Sequence, residues 1–253
     1  MNTSYETIEI RKEGKIGWLL LNRPQVKNAL SALTFQEIHR GIDDLVAEPD
    51  IVVIVLSGNG GVFSSGRDFN DRDIPPDFED QRSRAFAAVE YCPKPTIAAV
   101  AGYAITGGLT LAISCDMIIA AQDSIFQDTH AKLGVITLRA SRLYEVLGPM
   151  KTKELLFTSR RISSHEALAM GLINQVVPAA ELEQAARALA EEISRNKPEA
   201  LLAIKQVVNQ IIRRDQAQLI ELEELAKRRY SDLYSEQHSL DASLKPDAAR
   251  STP

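Results

Sequence analysis

The sequence predicts an α/β protein with a helical C-terminal appendage. Three observations carry that expectation. Short apolar runs rich in β-branched residues, IVVIVLSG at 51–58 and TIAAVAG at 96–102, alternate with stretches of helical spacing. Runs of this length and composition suit strands buried on both faces, as in parallel sheets. Both runs lead into glycine-bearing loops, SGNGG…SSG after the first and GYAITGG after the second, so a strand–loop–helix unit occurs twice. From Ala179 onward the pattern is helical, which sets a second part apart from the alternating body.

The elements follow in order. Residues 5–24, YETIEIRKEGKIGWLLLNRP, alternate and then turn wholly apolar past Gly14, as the two strands of a hairpin do; Pro24 ends them. Residues 31–50 place Phe35, Ile38, Ile42, Leu45 and Val46 at helical spacing behind Ser31 or Thr34 as cap. Residues 51–60 read as a strand and 61–70 as a loop. Residues 71–81, DRDIPPDFEDQ, acidic with paired prolines, read as a surface loop. A helix over 82–95 is closed by Pro93.

Residues 96–102 form a strand and 107–115, GGLTLAISC, a helix. Residues 116–128 read as strand, turn and short strand, and 129–134 as a turn or two of helix stopped by Gly134. Helices follow at 140–149, 150–163 and 164–171, then a strand at 172–178. Helical segments at 181–198, 199–212 and 215–234 precede a frayed tail over 235–253.

Composition narrows the class. The chain has 253 residues, 45% of them hydrophobic, and a net charge of −5. That length buries a sizeable core without staples. No basic stripe points to nucleic acid. Cys92 and Cys115 cannot build a disulfide framework, and Cys115 sits in an apolar run as a core residue. A reducing, cytoplasmic compartment is expected. The polar N-terminus argues against a secretory signal. The long apolar run over 95–121 is split by Gly102, Gly107, Gly108 and Asp116, which disfavours membrane insertion.

Four segments carry a family resemblance: RPQVKNALS (23–31), VFSSGRDF (62–69), KPTIAAVAGYAITGGLTLAISCDMIIA (94–120) and ALAMGLINQVV (167–177). In this order and spacing they resemble the crotonase family, the enoyl-CoA hydratase/isomerase superfamily, from about residue 5 to about residue 235. The resemblance implies a crotonase-like spiral of ββα units over 1–195. It implies a helical C-terminal trimerisation region over 196–253, giving homotrimers or hexamers. It implies a coenzyme A thioester as substrate, with no other cofactor and no metal.

In that family the thioester carbonyl accepts two backbone N–H bonds, here matched by Arg67 and Gly107. Such an oxyanion hole stabilises a developing enolate by about 3–4 kcal/mol per well-placed donor. Glycine at 107 permits close approach, and Gly108 lets the helix start beneath. The other reading of the glycine pair is tight helix–strand packing alone. The resemblance also places coenzyme A along Lys27, Ser65, Arg67, Asp68, Phe69 and Asn70. Lys27 is otherwise an ordinary solvated lysine, and Asp68 a local cap or turn residue.

The sequence departs from the family where acid and base are expected. One hydratase glutamate stands three residues after the oxyanion glycine, here Thr110. The other opens the short helix after the second strand pair, here His130. A threonine hydroxyl is no base near neutral pH, whereas an imidazole is. At a helix N-terminus the macrodipole favours the neutral ring. Asp128, two residues earlier, either orients that ring or, with Thr129 as the rival, caps the turn; the cap is favoured. Otherwise His130 fills its slot and bonds locally.

His39 and His165 are expected at the surface and His238 in the tail. Arg139 and Arg142 replace glycine-like positions and are expected in surface or intersubunit salt bridges; the sharper alternative is an arginine facing a carboxylate-bearing acyl end. Leu138 stands where some relatives carry an aspartate. The expected function is therefore an acyl-CoA enzyme with His130 and Thr110 at its centre, suited to a 1,3-proton shift or to assisted hydration. The alternatives are a non-catalytic acyl-CoA binder and a thioester or 1,3-diketone hydrolase.

Overall fold

The computed structural model describes residues 4–72, 74–135, 140–213 and 228. A six-stranded sheet forms the frame. Strands β1 (Ile8–Glu13) and β2 (Ile16–Leu21) make the antiparallel hairpin at its edge. Strands β3 (Val53–Gly58), β4 (Thr96–Val100), β6 (Met117–Ala121) and β9 (Gln175–Val177) continue it in parallel from β2. A second, three-stranded sheet consists of β5 (Tyr103–Ile105), β7 (Ile125–Gln127) and β8 (Ile162–Ser163).

The apolar runs are covered on both faces, as their composition requires. From β3, Ile54 and Leu56 enter a core with Phe35, Ile38 and Ile42 of helix α1 (Ala32–Ala47). Helices α2 (Phe78–Glu90) and α3 (Gly107–Ile113) add Phe86, Val89 and Leu111 to that core. Val53 and Val55 face the other way, with Trp18, Ile97 and Ile119, and α6 (Leu182–Ser194) closes over them. Ala186 and Ala190 have no exposed surface, so small side chains let α6 lie flat on the sheet.

Ser31 is the cap of α1, accepting from Thr34 N–H at 3.2 Å. The carboxylate of Glu37 on α1 accepts from Glu6 N–H, Thr7 N–H and the Thr7 hydroxyl at 2.9, 2.7 and 2.6 Å. It thereby pins the chain entering β1. Cys92 and Cys115 are both buried and free, and burial pushes both thiols up.

Several elements differ from the expectation. Helix α2 begins at Phe78, inside the stretch read as loop. Phe78 is buried edge-on against Phe35, 5.8 Å between centroids, and Glu79 and Asp80 suit a first helical turn. Strand β5 lay hidden in a stretch read as loop. Strand β8 lay in a stretch read as helix: Ser159 at φ 46° turns the chain, and Ile162, 2% exposed, pairs against Phe126.

Helix α4 (Ala140–Thr158) is broken at Gly148, φ 69°, before Pro149, where the sequence divides two helices. Helices α5 (Ser164–Ala169) and α7 (Pro198–Arg213) complete the elements. The expected helix over 215–234, apart from position 228, the tail with His238, and Leu138 and Arg139 lie outside the described residues. Among the described residues no helix is long and apolar enough to cross a membrane.

Candidate active site

The site is assembled by three chain segments running side by side. Ser64 and Ala104 of β5 form a parallel bridge, with Ser64 N–H donating to Tyr103 O at 2.8 Å and Ile105 N–H to Ser64 O at 3.1 Å. On its other side β5 pairs in parallel with β7, and Thr106 N–H donates to Gln127 O at 2.7 Å. The residues just beyond each segment therefore meet: Gly66 and Arg67 from the first, Thr106 and Gly107 from the second, Asp128 to His130 from the third. Ligand sites gather at the carboxyl ends of parallel strands for this reason.

The first loop turns at Gly66, φ 93°, where a Cβ would stand 2.7 Å from Ile105 O. Its shape is held from beneath. Buried Asn28, itself left-handed at φ 51°, donates to Asn59 O and Val62 O at 3.0 and 2.6 Å. The Ser64 hydroxyl donates to Asn28 O at 2.8 Å and accepts from Gly66 N–H at 3.1 Å. Leu30 bridges Arg67 in parallel through the groups on either side of it: Leu30 N–H donates to Gly66 O and Asp68 N–H to Leu30 O. This register turns the Arg67 N–H away from Leu30.

The Arg67 nitrogen lies beside Gly107. A Cβ at Gly107 would stand 3.6 Å from Arg67 N, and one at Gly66 would stand 3.4 Å from Gly107 N. The two amides thus share one small space at the start of α3. Gly108 answers to a different demand, since a Cβ there would stand 2.5 Å from Ser64 O. Of the paired glycines, 108 serves packing, and 107 leaves room beside two amides.

Thr106 ties the second loop to the third. Its backbone, φ 54° and ψ −105°, is costly for a β-branched residue, on the order of 1–3 kcal/mol. Its hydroxyl offsets part of that, lying 2.5 Å from the Thr129 hydroxyl and accepting from Thr129 N–H at 3.2 Å. Asp128 then uses both oxygens on one neighbour. One accepts from His130 N–H at 3.0 Å, and the other lies 2.8 Å from His130 Nδ1.

Of the roles posed as rivals by the sequence, Asp128 holds the ring and the backbone N–H of His130, while the helical turn after it has no side-chain cap. His130 precedes only a single helical turn, Ala131–Leu133. Its orientation therefore comes from the carboxylate rather than from a long helix dipole. Thr110, 4% exposed, donates its hydroxyl to Thr106 O at 3.1 Å.

Other expected residues are more dispersed. Lys27 is exposed and left-handed, with Nζ 5.9 Å from the Tyr103 ring centroid. Its carbonyl accepts from Ser65 N–H at 3.0 Å. The Asp68 carboxylate pairs with Arg23 at 2.8 Å and accepts from Asn70 N–H at 3.0 Å, a turn-forming role. Phe69 is 70% exposed. Arg142 is not on the surface. It donates to Ile113 O at 3.1 Å and pairs with Glu145 at 3.0 Å, so it fastens α4 to the end of α3. His39 pairs with Asp43 at 3.4 Å, and His165 is exposed. No cluster of three metal-ligating side chains occurs among the described residues.

Comparison with known proteins fits this architecture. The profile of the enoyl-CoA hydratase/isomerase family matches residues 11–245. The chain is 37% identical over 213 residues to a probable enoyl-CoA hydratase of Mycobacterium bovis, covering 81% of this chain and 82% of that one. It is 34% identical over 211 residues to the short-chain-enoyl-CoA hydratase of Clostridium acetobutylicum, covering 79% and 80%. A crystal structure of a probable enoyl-CoA hydratase from Mycobacterium thermoresistibile superposes with a TM-score of 0.81 at 31% identity, covering 92% and 99%. The chain belongs to the enoyl-CoA hydratase/isomerase family and has the crotonase fold.

Proposed function

We propose that the protein is an acyl-CoA enzyme that stabilises a thioester enolate between the amides of Arg67 and Gly107 and moves a proton through His130. The observation that carries this reading is the convergence of those amides, 3.6 Å from Arg67 N to a Cβ at Gly107, beside the Asp128–His130 pair. Two preorganised N–H donors stabilise negative charge that develops on a carbonyl oxygen and need no reorganisation to do so. The relatives named enoyl-CoA hydratase support the substrate class.

The mechanism follows from the hydrogen bonds. An ionised carboxylate only accepts, so Nδ1 of His130 carries its hydrogen and the basic lone pair lies on Nε2. With the thioester carbonyl in the hole, the acidity of the neighbouring carbon rises, and Nε2 takes or returns the proton. Thr110 has no basic group to offer. Its hydroxyl, donated to Thr106 O, keeps lone pairs that accept from a substrate hydroxyl or a water. One base with no second carboxylate suits a proton shift along the enoyl chain or assisted hydration.

Coenzyme A would run along the first loop, with Lys27 as an exposed cation for its phosphates and Ser65, Asp68, Phe69 and Asn70 contributing mainly backbone and ring contacts. Exposed Ile204 and Val207 on α7 suit a homotrimer or hexamer built through the C-terminal region.

The test is paired. Crotonyl-CoA binding is titrated by calorimetry while loss of the conjugated thioester absorbance is followed. Binding with turnover that His130→Ala abolishes is the expected result. Turnover that survives His130→Ala would overturn the assignment of the base, and absence of any coenzyme A affinity would overturn the substrate class.

A further inference from the structure

The side chain of Arg67 has no part in the chemistry above, yet it lies beside the hole. Its guanidinium sits between two rings, 4.8 Å from the Phe78 centroid and 5.8 Å from that of Phe69. A second arginine approaches the same Phe78 ring: Arg82, one turn further along α2, lies 6.0 Å from its centroid. The Arg82 side chain is only 16% exposed. The Nε atoms of both arginines are buried without a protein hydrogen-bond partner.

Charge is unbalanced here. Arg82 pairs with Glu79, which is half exposed on the solvent side. Among the described residues no carboxylate pairs with Arg67. Burial depresses the Arg82 pKa, and the Arg67 charge pushes the same way. Two guanidiniums around one ring, with buried donors unmet and one carboxylate between them, make a site that gains from a second anion. Arginine's planar fork suits a carboxylate.

We propose that Arg67 and Arg82, set around Phe78, form a carboxylate-binding subsite for the far end of the acyl group. The favoured substrates are then enoyl thioesters of short dicarboxylic acids. This rests on the coenzyme A thioester reading and refines it. The reach follows from Arg67 itself, whose amide would hold the carbonyl while an arginine side chain spans up to about 6–7 Å from its Cα, the length of about four to six acyl carbons. The carboxylate-reading role, which the sequence offers only as the lesser alternative for Arg139 or Arg142, is thereby assigned to Arg67 and Arg82.

The test measures affinity on the full chain, so it needs no assumption about the reaction. Adipyl-CoA, its methyl ester and hexanoyl-CoA are titrated by calorimetry at one pH and ionic strength. Adipyl-CoA is expected to bind at least about tenfold more tightly than either neutral thioester, the worth of one charged hydrogen-bonded contact. Arg82→Gln is expected to bring the three within about twofold. Arg84→Gln, at an exposed position of the same helix paired with Asp80, is expected to keep the preference.

Equal or weaker binding of adipyl-CoA, or a preference that survives Arg82→Gln, overturns the subsite and leaves the thioester reading standing. No binding of any of the three overturns the thioester reading and the subsite with it. Where Arg82→Gln does not fold, the wild-type comparison of adipyl-CoA with its methyl ester decides alone.

Discussion

Replacing Gly107 by alanine separates the two explanations of the paired glycines. The added methyl would meet Leu30 Cδ1 at 3.3 Å, Arg67 N at 3.6 Å and Gly66 Cα at 3.7 Å. The last two are ordinary contacts, and the Leu30 methyl is a flexible end that gives by a few tenths of an ångström. Position 107 opens α3 without a left-handed φ, so alanine fits the backbone and helical propensity favours it by up to about 1 kcal/mol. The fold should therefore hold, with Tm within a few degrees of wild type.

Catalysis should not hold. An oxygen bonded to both amides sits about 2.9 Å from each, and the new methyl crowds that place. The expected loss is that of one hole donor, about 2.7–4 kcal/mol or 10²–10³ in kcat. The control is Gly108→Ala, whose methyl would stand 2.5 Å from Ser64 O and 2.9 Å from Ser64 Cβ. It should destabilise by about 1–3 kcal/mol through overpacking. Steady-state kinetics and thermal melts on both variants decide the matter. A Gly107→Ala protein that keeps kcat within about threefold while folding normally would refute the hole, and packing would be the whole reason for the glycine.

Other outcomes follow from the same contacts. His130→Ala should lower kcat by about 10²–10⁴ while acyl-CoA affinity by calorimetry changes little, as for loss of a general base. Asp128→Asn leaves one acceptor oxygen for two donors, His130 N–H and Nδ1–H, and should cost about 10–100-fold in kcat; a wild-type rate would show that the ring needs no orienting. Thr106→Val removes the acceptor of Thr129 N–H and should cost about 1–3 kcal/mol in urea unfolding, with Thr106→Ser recovering most of it. Glu37→Gln leaves one acceptor oxygen for three donors at the entry to β1 and should destabilise by a similar amount, about 1–3 kcal/mol, with activity per folded molecule unchanged.

The fold was legible where one physical demand dominates. IVVIVL and TIAAV can only be strands buried twice over, and Phe35, Ile38, Ile42 and Leu45 can only face a core from a helix. Sequence patterning was weaker where partners come from afar. Strand β5 has three residues and β8 two, too few to show a period, and both exist because β7 lies between them. Helix α2 starts early because Phe78 finds Phe35, within a stretch whose paired prolines read as a surface loop.

Gly107 and His130 are pointed to in the sequence by their positions within recognisable segments, and the structure brings the loops that carry them side by side. Thr106 and Asn28 were not legible: a left-handed threonine and a left-handed asparagine leave no mark in composition. Arg82 was missed because an arginine in a polar helix reads as solvated until Phe78 is seen beneath it.

The three loops are coupled by short bonds at the margin of a core that their flanking residues share, and this bears on how the chemistry can vary within the fold. Ser64 fixes the first loop to β5, and the Thr106–Thr129 contact fixes the second loop to the third. The Arg67 and Gly107 amides and the Asp128–His130 pair are therefore set by backbone pairing between neighbouring strands, which tolerates changes in the side chains projecting from it. His130 is held at both its backbone N–H and its ring by the one carboxylate of Asp128.

The same logic places substrate choice on side chains that the scaffold does not need. The proposed hole draws only on the backbone amide of Arg67, whatever its side chain. That side chain is thus free for another task, and it is the one that reaches Phe78, whose ring Arg82 also approaches.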